Sequence, residues 1–464
     1  MLLQEGKYRP DITAAIDDRG DQITYGELVE EGKKLASHLP PRAVVFCLCE
    51  NTIGGCIGFI GCYDNGRIPL LLDEALDRNL LFTLVDTYTP AMLWVPRRVA
   101  SEFSYETVYE THGYTLLKTG HEVYHVHEQL SLLLTTSGTT GCPKLVRHKY
   151  GNIEANARNV ALAFGWTPEE RPICSLPMNY TMGLNVISTH LYTGCTILLT
   201  SASLASPLFW EFIKGERGSN FTGVPFSYEV LFKLRFQRMK LPHLTTLAVG
   251  GGKLTDVVFN DLANYAQEQG KRFIPSFGTT ETSARMARLE PQYALEKTNS
   301  IGRAIPEGEL MLLDGNGNRV PDGEGDGELC YRGPNVTMGY AEYKEDLLLG
   351  DEFHGEYRTG DLAHRDADGF YYITGRLKRI VKIYGLRISL DQCEQLICSK
   401  FNLKCACTGD DSTLRVYLVD SSMAETVKVW TCKTLHLAPT AVTTVVLSDI
   451  PKSSSGKIAY SQLR

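Results

Sequence analysis

No apolar run in this chain of 464 residues approaches the length of a bilayer span, so no membrane-crossing helix is expected. There is no basic excess either. A formal net charge of -7 argues against a nucleic-acid surface as the main partner. The stretch from Met1 to Lys7 has no basic segment followed by an apolar one. No signal peptide is therefore expected, and the expected location is cytoplasmic. The 13 cysteines form no CxxC pair. In a chain of this size without an export signal, reduced core thiols are expected rather than disulfides or zinc. His121, His125 and His127 have only Glu122 and Glu128 beside them, and read as a solvated linker. No internal repeat or low-complexity tract stands out.

What is present is ordinary in bulk. Hydrophobic residues are 43% and charged residues 22%, as in a soluble globular protein. The length is too great for one core, and two or three domains are expected. Thr24 and Glu27 form a capping box that starts a helix, with Ile23 and Leu28 at the staple positions. Apolar runs at 43–49, 68–72 and 91–95 read as buried strands, with helices between them. The same alternation resumes later, with strands centred on Cys174, Leu198, Thr222, Leu247 and Phe273. Fully apolar strands alternating with helices predict parallel sheets covered on both faces. In such sheets ligands sit at the carboxyl ends of strands. From about Glu307 the pattern changes to short strands with Gly, Asn and Asp turns, which predicts an antiparallel sheet or barrel. The cationic stretch 375–379 is the expected boundary to a last, mixed domain.

One stretch carries more than fold. The apolar run 132–134 breaks into Thr135-Thr136-Ser137-Gly138-Thr139-Thr140-Gly141-Cys142-Pro143-Lys144. Glycines let a loop bring its N–H groups to an anion, hydroxyls add donors, and a lysine adds charge. That is a polyphosphate cradle, although not the Walker A pattern, because a Pro separates the last Gly from the Lys. The same stretch also reads as a polar surface loop after a strand. Five further stretches make the cradle specific: Phe277-Gly278-Thr279-Thr280-Glu281, Tyr357-Arg358-Thr359-Gly360-Asp361, Gly375-Arg376, Lys382-Ile383-Tyr384-Gly385, and Ser453-Ser454-Ser455-Gly456-Lys457.

In this order and spacing, from Thr24 to Lys457, the six stretches resemble the adenylate-forming superfamily of acyl- and aryl-CoA synthetases, peptide-synthetase adenylation domains and luciferases. The resemblance implies an α/β fold. A large N-terminal domain, 1–376, would hold two doubly wound sheets plus a barrel-like subdomain at about 307–376. A small mobile α+β domain, 377–464, would follow. It implies an enzyme that joins a carboxylic acid to ATP as an acyl-adenylate, then passes the acyl group to a thiol. The cofactors implied are ATP, Mg²⁺ and coenzyme A, or alternatively the phosphopantetheine arm of a separate acyl carrier protein.

The resemblance also implies roles. Thr136, Ser137, Gly138, Thr139, Thr140, Gly141 and Lys144 would cradle the phosphates. Glu281 would hold the metal and Thr280 would touch the α-phosphate. Phe277, with Gly278 and Thr279 after it, would stack on adenine against Gly250, Gly251 and Gly252. Asp361 would accept from the ribose hydroxyls, with Arg376 nearby. Lys457 would be the catalytic cation. Lys378 would be the hinge, and Lys382 and Gly385 would border the thiol tunnel. The acyl pocket would be lined by Tyr180, Thr181, Gly183, Val224, Phe226 and Ser227. Amino-acid-activating relatives place an Asp after the aromatic gate, and this chain has Thr181 there. A buried ammonium without a carboxylate is costly, so a fatty or aromatic acid is expected rather than an α-amino acid. Gly183 is expected to leave room for length. Four positions depart from the pattern: Leu145, Pro275, Arg379 (where an acid is usual) and Tyr460 (where an Arg is frequent).

Overall fold

The structure is a computed structural model that describes residues 1–3, 8–135, 143–383, 386–410, 412–435, 437–452 and 457–463. It divides into two compact units, Met1–Glu309 with Tyr331–Tyr357, and Leu310–Cys330 with Arg358–Arg464.

The first unit holds two large sheets, as the apolar alternation predicts. In one, strands Arg272–Phe277, Thr246–Val249, Asn220–Gly223, Pro172–Cys174, Ile197–Leu199 and Thr13–Asp17 run parallel in that spatial order. Antiparallel strands close both edges. In the other, Leu130–Thr135, Ile68–Asp73, Val44–Cys49 and Met92–Pro96 are the parallel centre. Helix Ile53–Tyr63 is buried along its whole length. Its residues share one core with inward-facing side chains of both sheets, among them Ala15, Cys47, Leu71 and Cys174. Glycine at position 58 is what permits the approach: a Cβ there would lie 2.3 Å from the Trp94 ring.

One connection differs from a simple βα alternation. Leu130–Thr135 is followed by Leu145–Lys149, which returns antiparallel beside it. Leu145, one of the departures, is fully buried and pairs with Thr135. A strand position explains a bulky aliphatic side chain there.

Most residues of a four-stranded sheet, Glu309–Leu313, Gly325–Arg332, Glu356–Arg365 and Tyr371–Arg376, belong to the second unit. Beyond it, helices Leu390–Phe401 and Ala424–Leu435 pack with strands Cys405–Gly409, Leu414–Leu418 and Val442–Val446 around a separate core. The fold class is therefore mixed α/β with large parallel-centred sheets and a small α+β region at the C-terminal end. Among the described residues no helix is long and apolar enough to cross a membrane. The described cysteines are free thiols, all buried except Cys398.

Burial sets a pH dependence. Removal from water pushes the His148 imidazole down from 6.5 to about 4 and His190 down to about 3. A base with a depressed folded pKa leaves stability complete above about pH 6.5 and loses it as pH falls toward about 4. At about 1.4 kcal/mol per pKa unit, the two contribute on the order of 3–5 kcal/mol each to that loss, His190 the more. Urea unfolding across this window is expected to show the fall, and His190→Gln to flatten it.

Candidate active site

The expected site residues fall into two groups, one in each unit. In the first unit they gather at the carboxyl ends of the parallel strands. Strand Arg272–Phe277 ends at Phe277, which is half-buried, and passes through Gly278 into the turn Thr280–Thr282. The Thr280 and Thr181 hydroxyls lie 2.9 Å apart. Thr181 opens helix Thr181–Thr193 and is buried. Its hydroxyl is thus turned toward the expected α-phosphate residue.

Glu281 Oε1 accepts a 2.6 Å hydrogen bond from the Tyr340 hydroxyl, which lies 3.3 Å from that of Tyr357. Burial and the Glu281 charge push the Tyr340 phenol well up, so it stays protonated and donates. A carboxylate with one oxygen oriented in this way fits a magnesium ion, which takes one or two carboxylates and completes its shell with phosphate and water. Sequence reasoning did not find Tyr340 or Tyr357. The only trace of Tyr340 was a Tyr after Gly339, and pairing of Tyr340 with Val146 brings it to Glu281.

Thr136 to Gly141, the cradle itself, lie outside the described residues. Lys144 ion-pairs with Glu342 at 2.5 Å, beside an open cleft of about 510 Å³ that Tyr340 and Phe353 also line.

The acyl-pocket residues sort unevenly. Tyr180, Met182, Leu176 and Val224 form one small apolar cluster. Gly251 has φ +74, and a Cβ there would lie 2.4 Å from the Tyr180 hydroxyl, so only glycine admits the ring. Gly250 similarly approaches Met182, and Gly252 approaches Pro225. Gly183 corrects an expectation. A Cβ there would sit 2.2 Å from the Pro177 carbonyl oxygen, so its smallness serves a backbone contact and gives the pocket no length. Phe226 is 48% exposed. The Ser227 hydroxyl accepts from the Val224 N–H at the start of helix Pro225–Lys233. Pro275 pairs with Val249 inside the sheet, and its carbonyl accepts from Leu289 N–H at 2.8 Å.

In the second unit, Asp361 stands opposite Arg376 in adjacent strands. It lies within strand Glu356–Arg365. Arg376 Nε donates to Asp361 Oδ1 at 2.7 Å. Oδ2 is buried with no hydrogen-bond partner among the described residues. Burial pushes the Asp361 carboxyl up, and the nearby Arg376 and Lys457 charges draw it back down. An unpartnered buried carboxylate oxygen is costly, and a diol would satisfy both its lone pairs.

Lys378, Lys382 and Lys457 are exposed, while Gly385 lies outside the described residues. Two departures explain each other. The Arg379 guanidinium lies 3.7 Å over the Tyr460 ring. Arg379 also pairs with Asp391 and, at 2.6 Å, with Glu394, to which the Tyr460 hydroxyl donates at 2.9 Å. An Arg next to the expected hinge Lys378 and a Tyr after Lys457, the expected catalytic cation, make one cation–π contact in place of the usual residues.

Fold and site together define a class: an α/β protein that gathers residues expected to bind nucleotide and metal at its strand ends. Comparison with known proteins makes it particular. The family model for AMP-binding enzyme matches residues 3–341, and the chain belongs to that family. A 2-succinylbenzoate–CoA ligase of Listeria innocua is 25% identical over 100% of this chain and 98% of its own length. An oxalate–CoA ligase of Arabidopsis thaliana is 24% identical over 71% of this chain and 66% of its own. A solved structure of o-succinylbenzoate CoA synthetase from Bacillus subtilis, in complex with its acyl-adenylate intermediate, aligns with TM-score 0.81 and 21% identity. It covers 100% of this chain and 97% of that one. Its likeness concerns the fold.

Proposed function

We propose that the chain is an AMP-forming acid–thiol ligase that activates a fatty or aromatic carboxylic acid with ATP and transfers it to coenzyme A. The observation that carries this reading is the unpartnered Asp361 oxygen beside Arg376, a receptor for a ribose diol. Family membership supports it, and the relatives reported are CoA ligases by name. Those names give no support to a carrier protein as acceptor.

The chemistry needs little beyond positioning and charge. Thr280 holds the α-phosphate region, and Glu281, oriented by Tyr340, would hold Mg²⁺, which would supply charge neutralisation when bound. The loop from Thr136 to Lys144 holds the outer phosphates, and Phe277 takes the adenine face against Gly250 to Gly252. The acid enters past Tyr180, and its carboxylate displaces pyrophosphate at the α-phosphate. The thiol then attacks the mixed anhydride and releases AMP. Residues 377–464 act as a small domain pivoting at Lys378, and Lys382 and Gly385 face the thiol's path.

Thr181 decides one aspect of the substrate. Its hydroxyl is engaged with Thr280, and it supplies no carboxylate for an α-ammonium. ATP–pyrophosphate exchange with a panel of carboxylic acids tests the reading. Exchange with fatty or aromatic acids is expected, with AMP as product and a thioester formed on adding free coenzyme A. A proteinogenic amino acid turned over in preference to its des-amino analogue would refute the Thr181 argument. Release of ADP and orthophosphate would refute the class. Thioester formation only on an isolated carrier protein would refute coenzyme A as acceptor.

A further inference from the structure

The first unit buries a cation that the reaction described above does not use. Arg285 is fully buried, four residues after Glu281. Its Nη2 donates to the Thr222 hydroxyl at 3.2 Å, and its guanidinium lies 4.5 Å over the Phe164 ring. Its Nε is buried with no hydrogen-bond partner among the described residues. Among the described residues no carboxylate faces it, and the neighbouring Tyr228 phenol is neutral, held protonated by burial. Burial pushes its pKa down to about 9, so it remains a cation at neutral pH. A buried cation normally has an anion.

The surroundings are polar and equally incomplete. Asn185 Nδ2 donates to Asn156 Oδ1, and Asn156 Nδ2 donates to the Arg285 carbonyl, both at 2.8 Å. Asn185 Oδ1 and Asn220 Oδ1 are buried without hydrogen-bond partners among the described residues. This cluster continues from the candidate acid pocket. Asn185 follows Thr181 by four residues on helix Thr181–Thr193, so both stand on one face a turn apart. Thr181 touches Thr280 at the reacting end. Thr222 lies two residues before Val224, in the strand that leads into the apolar wall. Asn185 thus reaches, through Asn156, the backbone carbonyl of Arg285, whose guanidinium meets Thr222 in the strand that leads to Val224.

We propose that Arg285 is a specificity residue that pairs with a second carboxylate at the far end of the acid, making the substrate a dicarboxylic acid. This rests on the acid-ligase reading and narrows it. The end near Thr280 reacts. The other end stays ionised and takes the guanidinium as partner, with donors that a monocarboxylic acid leaves unsatisfied. Planar guanidinium and carboxylate match in two parallel hydrogen bonds, which a neutral ester does not reproduce.

The test compares succinate, glutarate, adipate, phthalate and terephthalate with their half-methyl esters, and with benzoate and hexanoate, in ATP–pyrophosphate exchange on the whole protein. The expected result is that kcat/KM for the accepted diacid exceeds that for its half-ester by about 10- to 100-fold, the scale of a lost charge-assisted contact. Arg285→Met is expected to erase that ratio, and Arg285→Lys to restore part of it. A diacid and half-ester used equally by the unmodified protein, or a preference for monocarboxylic acids, overturns the proposal and leaves the ligase reading standing. Exchange with no acid at all, fatty and aromatic monoacids included, overturns both. Because the decisive comparison uses the unmodified protein, a variant that fails to fold does not obscure the answer.

Discussion

Replacing Lys457 by Ala is expected to lower acyl-adenylate formation by about 10²–10³-fold, the loss seen when one preorganised donor to a developing charge is removed. The variant is expected to keep thioester formation from a supplied acyl-adenylate. The two reactions make opposite demands on one place. Adenylation needs a cation at the α-phosphate while negative charge gathers there. Thioester formation needs that cation out of the way of a narrow thiol-bearing arm. An exposed lysine at the end of a Ser/Gly-rich stretch suits an arriving and departing cation, and here it already draws the Asp361 carboxyl down by its charge. Lys378→Pro is the counterpart. Fixing φ at the proposed pivot is expected to spare adenylation and slow transfer. Single-turnover assays of each half-reaction separate the cases. Parallel loss of both half-reactions in both variants would rule out an alternating small domain.

The second large effect is expected at Asp361. Asp361→Ala removes the oxygen proposed to hold the ribose diol, at roughly 1.5–3 kcal/mol for each charge-assisted hydrogen bond. The apparent affinity for ATP is expected to fall at least about 10-fold, with little change in recognition of the acid. Stability separates this role from a structural one. Burial raises the Asp361 pKa, so the contribution of this group is fully present below its ordinary 3.8 and is lost as pH rises through the folded value. At neutral pH the ionised side chain costs stability, and Asp361→Asn is expected to keep or raise the melting temperature. A large drop in melting temperature with ATP affinity unchanged would make Asp361 a structural partner of Arg376 and nothing more.

Much of this was legible in the chain because it depends on near neighbours. A buried parallel strand needs a continuous apolar run, so Val44–Cys49 and Ile68–Asp73 announce themselves. The Thr24–Glu27 capping box is complete within four residues, and both of its hydrogen bonds form. The adenylate-forming character sits in short motifs whose order survives in one dimension, from the hydroxyl-rich loop to Lys457. What sequence could not reach depends on which distant residues meet. Tyr340 becomes a partner of Glu281 only because a two-residue strand pairs across to Val146. Arg379 and Tyr460, each an exception taken alone, become one contact when the helix bearing Glu394 brings them together. Gly183 reads as room until the Pro177 carbonyl takes the space. The sequence alone determined the fold class through hydrophobic periodicity and the reaction type through the family resemblance its ordered motifs carry, because both signals lie in neighbouring residues. Only the tertiary structure decided which carboxylate oxygen stands unpartnered at Asp361 and which cation is buried at Arg285, because burial and the absence of a partner are properties of the whole packed unit.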